Sequence, residues 1–285
     1  TVFGTVLWFS SVQGTVWFAA HVLGALLAAL YLWAALGAER PLLAGLLLGL
    51  ATATRTSLGF AAVLFVLELW RTQREDVPRV ARSALRFLLP LACIGALLAW
   101  HNHARFGDAL EFGHRHLDVV WRPRIEKWGL FSTHFLGRNL GVMLASLPWS
   151  GGQAAPFRIT GHGLALWITS PFYLVLLLSR ARKVVRRDVL LSLGITALAV
   201  ALPSLLYQNT GWVQFGYRFS NDYVVFLMAM LAIVLSDRPR LRPLFWSLVL
   251  VGALVNAFGA LSFGDARYAR YYVYDVSPRL IFEPD

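Results

Sequence analysis

Apolar stretches of about 18 residues or more recur along this chain, and each is long enough to cross a hydrocarbon core of roughly 30 Å as a helix. They lie near 14–36, 42–70, 87–104, 163–179, 189–207, 219–236 and 244–263. Backbone N–H and C=O groups find no water inside lipid, so only helices and closed barrels span it. The pattern predicts an all-α fold, a polytopic transmembrane helical bundle of about 7–8 membrane helices. Only 14% of the residues are charged and 58% are hydrophobic, whereas a water-soluble domain carries about a quarter charged residues. An ordinary soluble enzyme is excluded. Arg55 interrupts the run 42–70, which is either one long tilted helix or two short ones, 42–54 and 57–70, turning at "TRTS".

The net charge of +11 is concentrated in short connections. Segment 71–86 holds Arg71, Arg74, Arg79, Arg82 and Arg86; 180–187 holds Arg180, Arg182, Lys183, Arg186 and Arg187; 237–242 holds Arg238, Arg240 and Arg242. Such loops set topology under the positive-inside rule and do not form a nucleic-acid face, so they are assigned to the cytoplasm. Segments 105–162, 208–218 and 264–285 mix acids and aromatics with arginine and fall on the outer side. The domain reading is a transmembrane helical domain over 1–263, including the outer loop 105–162, then an outer tail over 264–285. Arginine outnumbers lysine so strongly, with only Lys127 and Lys183 present, that a GC-rich bacterial genome and its plasma membrane are the expected setting. The sole cysteine, Cys93, offers neither an intramolecular disulfide nor a cysteine-pair metal motif. The chain opens at Thr1 with no Met and no basic leader segment, and reads as the C-terminal part of a longer protein.

Two near-identical pentapeptides, "EFGHR" at 111–115 and "QFGYR" at 214–218, both fall on the outer side. The first belongs to "HNHARFGDALEFGHRH", which gathers His101, Asn102, His103, Arg105, Asp108, Glu111, His114, Arg115 and His116 where a helix leaves the membrane. Arginine presents a planar fork matched to phosphate, and histidine exchanges protons near neutral pH. The plainer reading is an interfacial loop whose charges meet headgroups. Its two Phe-Gly steps predict tight turns. The second belongs to "NTGWVQFGYRFSND", where Asn221 or Asp222 can cap the next helix, Arg218 can pair with Asp222, and Trp212 and Tyr217 suit an interfacial belt. Against that, Arg218 with Gln214 at a helix mouth suits a phosphate clamp.

Arg55, at membrane depth, costs about 2.5 kcal/mol or more unless it reaches water or a partner. It is expected to line a polar cavity, to bind an anion, or to snorkel from a helix end. Gly45 and Gly49 form a small-xxx-small packing face. His21 reads as a satisfied interior histidine, and Glu68 with Arg71 as an ion pair at a helix end. "FSTHFLGRNLGVMLASLPW" has the spacing of a helix lying in the interface. Histidines two apart do not share a helix face, so no metal site is read, and no cofactor is evident.

"AGLLLGLATATR", "NHARFGDALEFGH", "FLGRNLGVMLASLP" and "GWVQFGYRFSND" together resemble the bacterial polytopic glycosyltransferases of the GT-C class, the protein-mannosyltransferase and aminoarabinose-transferase-like group. The resemblance runs from Gly14 to about Leu235. It implies transfer of a sugar from a polyprenyl-phosphate donor to a glycan, lipid or protein acceptor on the outer face. Arg55, Arg105, Arg115 and Arg218 are then candidates for the donor phosphate, and Asn102, Glu111, His114, Gln214 and Tyr217 for sugar or acceptor. The class carries its catalytic acid in a first outer loop, which lies upstream of this chain, so no catalytic residue is assigned. The rival reading is a transporter or flippase of an anionic lipid or polysaccharide precursor. A membrane scaffold without a site leaves the outer clusters unexplained.

Overall fold

Leucine, alanine, valine and phenylalanine dominate the apolar runs, and each run that Pro, Gly or a charge does not break closes into helix. A computed structural model describes residues 2–116, 121–150, 155–178 and 186–274, which are mostly helical with a few short strands. The helices are α1 Val6–Val12, α2 Val16–Ala35, α3 Pro41–Thr54, α4 Ala62–Gln73, α5 Val77–Phe106, α6 Arg122–Trp128, α7 Leu136–Ala145, α8 Leu166–Thr169, α9 Leu174–Leu178, α10 Arg187–Leu206, α11 Val224–Asp237 and α12 Arg242–Ser262. Among the described residues four helices are long and apolar enough to cross a membrane: α2 with its 3₁₀ extension to Ala38, α5, α10, and α12 with the turn before it. Helices α3 and α11 are apolar but 14 residues long, about 21 Å at 1.5 Å per residue.

The run 42–70 is a hairpin. Arg55 ends α3 in an extended conformation, a 3₁₀ turn covers Thr56–Ala61, and α4 returns. Gly45 and Gly49 seat α3 on α5: a Cβ on Gly45 would collide with the Phe87 carbonyl, and one on Gly49 with Ile94. That is the close approach expected of a small-xxx-small face. Tyr31 ties α2 to the hairpin, donating its hydroxyl to the Ala61 carbonyl at 2.7 Å. Phe65 stacks on Phe87 with ring centroids 4.1 Å apart, inside the largest apolar core.

The helices alternate in direction, so the connections sort to two ends. At the arginine-rich end Arg71 reaches Asp188 at 3.5 Å, and Arg186 lies beside Ser236 and Asp237. At the opposite, loop end a three-stranded sheet forms from β1 Trp149–Ser150, β2 Phe157–Thr160 and β3 Tyr272–Val273 in the order β1-β2-β3. β1 and β2 are antiparallel, β2 and β3 parallel. Single bridges join Phe131 to Tyr207 and Leu164 to Gly216. The described parts of the segments grouped by charge bias gather at common ends.

Several boundaries differ from the sequence reading. The run 163–179 is not one helix: Ser170 and Pro171 separate α8 from a 3₁₀ turn and α9, because proline supplies no backbone donor. Helix α5 begins ten residues before its apolar run, since Asp76 caps it by accepting the Arg79 N–H at 3.0 Å and Pro78 suits its first turn. The tail does not stand apart, because β3 pairs with β2 and the Ser262 and Tyr272 hydroxyls meet at 2.6 Å. Residues 275–285 of that tail and the basic residues 179–185 lie outside the described residues.

Candidate anion site at the loop end of the bundle

Asp222 is the centre of the buried polar structure at this end. Its Oδ1 accepts from His21 Nδ1 at 2.9 Å and Arg55 Nε at 3.1 Å; its Oδ2 accepts from Arg55 Nη2 at 2.7 Å and Ser57 Oγ at 2.7 Å. A carboxylate offers about four acceptor positions, and all are filled. Because a carboxylate only accepts, His21 Nδ1 carries the proton in this contact. The Asp222 side chain is 2% exposed and that of Arg55 20%. Arg55 packs over Gly24 of α2, where a Cβ would come 3.1 Å from Arg55 Cγ. Gly24 is eight residues into α2, about 12 Å along the helix at 1.5 Å per residue, so the cluster sits well inside the bundle.

The expected pairing of Arg218 with Asp222 does not occur, because Arg55, His21 and Ser57 already occupy the carboxylate. Arg218 is half-buried. Its guanidinium lies 4.9 Å from the centre of the Phe18 ring and 5.8 Å from that of Phe219, which Arg55 also approaches at 5.7 Å. Its Nε is buried without a hydrogen-bond partner among the described residues. The cluster thus holds two guanidiniums against one carboxylate, and the uncompensated cation belongs to Arg218. Ring faces attract a cation but leave its N–H donors unfilled.

The other residues singled out from sequence fall into two groups. Gln214 is fully buried and its amide is engaged inside the protein: Nε2 donates to the His162 and Thr210 carbonyls at 2.8 and 2.9 Å, and Oε1 accepts the Arg218 N–H at 3.1 Å. Tyr217 is also fully buried, its hydroxyl 3.4 Å from Ser204 Oγ, so it is no part of an interfacial belt. Asn102 is buried and donates to the Ala109 carbonyl at 3.3 Å, closing the turn after α5. These three build walls.

Glu111 is buried and His114 half-buried, and the ring of His114 stands 6.5 Å from that of Tyr207. Tyr207 in turn stands 6.2 Å from Phe219. His114 of the first pentapeptide and Phe219, the residue after the second, therefore flank Tyr207. Burial lowers the basicity of the His114 imidazole, with Glu111 acting in the opposite sense. Arg105 is exposed beside the Phe106 ring, 4.9 Å away, and no contact among the described residues joins it to Arg55 or Arg218. The side chain of Arg115 lies outside the described residues.

The repetition is chemical and not structural. Gly113 is left-handed at φ +86°, and Gly107, ending α5, is left-handed at φ +73°, which accounts for both Phe-Gly turns. Gly216 instead bridges Leu164 and packs against Val6 and Thr169. Helix α7 lies across the end of α10. Asn139 donates to the Leu205 and Tyr207 carbonyls at 2.9 and 2.7 Å, and Arg138 to the Gln208 carbonyl at 2.6 Å, satisfying carbonyls that a helix end leaves open.

His162, Thr210 and the α7–α10 cap were not legible beforehand. His162 meets Thr210 Oγ1 at 2.8 Å, and burial, reinforced by Arg138 and Arg124, lowers its pKa to about 4. Among the described residues no group of three histidine, cysteine or carboxylate side chains is placed to hold a metal ion. Set against protein families, curated proteins and solved structures, the chain matches none.

Proposed function

We propose that this chain is the membrane-embedded body of a glycosyltransferase that takes sugar from a polyprenyl-phosphate donor at the non-cytoplasmic face of a bacterial plasma membrane. The observation that carries this reading is Arg218: a half-buried guanidinium between two aromatic rings, beside a carboxylate already saturated by other donors. A cation removed from water and left without an acid partner is costly unless an anion meets it. A lipid phosphate suits that position, and the arginine fork suits its oxygens.

In the proposed reaction an acceptor oxygen bonds to sugar C1, the bond from C1 to the phosphate oxygen breaks, and the electron pair leaves with the phosphate. The acceptor's proton passes to a general base. Asp222 is not that base, since its lone pairs are occupied; its work is to hold Arg55. Arg218 receives the charge developing on the phosphate, a form of stabilisation that preorganised donors supply at low dielectric. Glu111 and His114, across Tyr207, stand on the sugar side. Gln214, Tyr217 and Asn102 position these walls. With α3, α4 and α11 counted as membrane-embedded beside the four long helices, the bundle reaches about seven such helices, and α7 lies in the outer interface.

Transport of an anionic lipid is the second reading, and the hairpin break at Arg55 inside the bundle favours it, since broken helices mark transporter sites. Transfer of labelled sugar from a polyprenyl-phosphate pool, in membranes carrying the protein or its Arg218→Ala variant at equal abundance, separates the two. A fall of about 100-fold or more in the variant is expected. Unchanged transfer would refute the site. No transfer by the intact protein, together with Arg218-dependent movement of the lipid between leaflets, would replace the transferase with the transporter.

A further inference from the structure

The arginine-rich end holds a crevice of about 440 Å³ that the proposed reaction does not use. It opens between the start of α3, the end of α4 and the first turns of α5, and is lined by Gln73, Asp76, Arg79, Arg82, Ser83 and Arg86, with Glu39 on the same rim. Its walls are fixed internally. Ser83 Oγ donates to Gln73 Oε1 at 3.0 Å, Gln73 Nε2 donates to the Ala38 carbonyl at 3.1 Å, and Asp76 caps α5. The guanidiniums of Arg79, Arg82 and Arg86 are exposed and take no ion-pair or hydrogen-bond partner among the described residues. They outnumber the two acids of the crevice, Asp76 and Glu39.

Arg79, Arg82 and Arg86 follow at i, i+3 and i+7, the spacing of one helical face. The same spacing continues to Leu89, Cys93, Leu97 and Trp100, where Leu89 is 56%, Leu97 63% and Trp100 70% exposed and Cys93 is exposed as well. Helix α5 thus presents a cationic head at the crevice and an apolar shaft running about 21 Å from Arg86 to Trp100. The shaft lies beside the face that packs on α3 through Phe87, Pro90 and Ile94. A soluble phosphate meets only the head, whereas a phospholipid meets both parts.

The geometry points to a binding site for the phosphate headgroup of an anionic phospholipid, taken from the leaflet at the arginine-rich end, with its acyl chains along the Leu89–Trp100 face of α5. The positive-inside bias makes that leaflet the cytoplasmic one. Basic pockets between membrane helices recognise anionic headgroups there, and guanidinium forks match phosphate oxygens.

The test is lipid retention by the purified protein, read by native mass spectrometry with phosphatidylglycerol and phosphatidylcholine offered equally. The intact protein is expected to prefer phosphatidylglycerol by roughly 10-fold or more, and Arg82→Gln/Arg86→Gln to lose that preference. Arg74→Gln/Arg240→Gln removes the same charge at the same end outside the crevice and should keep it. Matching unfolding midpoints establish that both variants fold, and Arg82→Lys/Arg86→Lys, which keeps charge without the fork, should retain part of the preference. Equal losses in the two glutamine variants would reduce the effect to general surface charge and overturn the proposal. Displacement of phosphatidylglycerol by inorganic phosphate, with the same dependence on Arg82 and Arg86, would make this a soluble-phosphate site and overturn the lipid assignment.

Discussion

Two of the buried carboxylates among the described residues, one toward each end of the bundle, are each held by an arginine fork. At the arginine-rich end Glu68 is fully buried; it accepts from Arg71 Nε at 3.0 Å, from Arg71 Nη2 at 2.6 Å and from the Gly37 N–H at 2.7 Å. At the loop end Asp222 accepts from Arg55, His21 and Ser57. The geometries match and the charge balances are opposite. Arg71 is shared by two acids, Glu68 and Asp188, whereas Asp222 alone stands against Arg55 and Arg218. The first cluster is closed, one fork tying α4 to α10 and to the turn after α2. The second leaves one cation over, and a cation left over inside a bundle is what a binding site for an anion requires.

The pairs also differ in how they form. Glu68 and Arg71 are three residues apart on one helix, neighbours as soon as α4 coils. Arg55 and Asp222 are separated by 167 residues and meet only when α2, the hairpin and the turn before α11 have assembled. Asp222→Ala is therefore expected to have the largest effect on stability, a loss of about 3–5 kcal/mol, because it leaves two guanidiniums without a counter-charge. Denaturant unfolding in detergent reads it.

Acid should separate the ends next. All seven histidines of the chain lie toward the loop end, and His162 is the clearest of them, with its pKa lowered to about 4. An unfolded imidazole takes up a proton near pH 6.5 while the folded one does not until about 4. The contribution of His162 is thus complete above about pH 6.5 and falls progressively as pH drops toward 4, by about 3 kcal/mol at most. Hydrogen exchange at pH 5 should show earlier opening around Gly161 and Thr210 than along α4, and His162→Gln should flatten the difference. Equal opening at both ends would break the contrast.

Glu68→Ala should cost less than Asp222→Ala, about 1–3 kcal/mol, because the Arg71 side chain is 33% exposed and can return to water, and Asp188 stays within reach of it. Equal losses for the two variants would mean that the charge surplus at the loop end has no energetic weight.

What the sequence made legible follows this same division between local and distant. The long helices α2, α5, α10 and α12 announce themselves by apolar length, the Gly45/Gly49 face by its spacing, the Glu68–Arg71 pair by three residues, and the two ends by charge. The Phe-Gly turns at Gly107 and Gly113 were readable because only glycine enters left-handed backbone cheaply. The partner of Arg55 was not readable, since nothing in "TRTS" points to "FSND". Nor was the three-stranded sheet, whose strands of two to four residues are too short to carry an alternating pattern. Gln214 and Tyr217 read as polar groups free for a ligand, yet tertiary contacts engage both.

The most direct measurement is a paired one on Arg218→Ala: unfolding free energy in detergent, and binding of a polyprenyl phosphate to the protein in nanodiscs. Among the described residues the guanidinium takes no hydrogen-bond partner and lies against the Phe18 and Phe219 rings, so removing it should change stability by no more than about 1 kcal/mol while weakening lipid-phosphate binding about 10-fold or more. A variant destabilised by several kcal/mol that still binds the lipid phosphate as before would make Arg218 a structural cation and leave the loop end without its anion site.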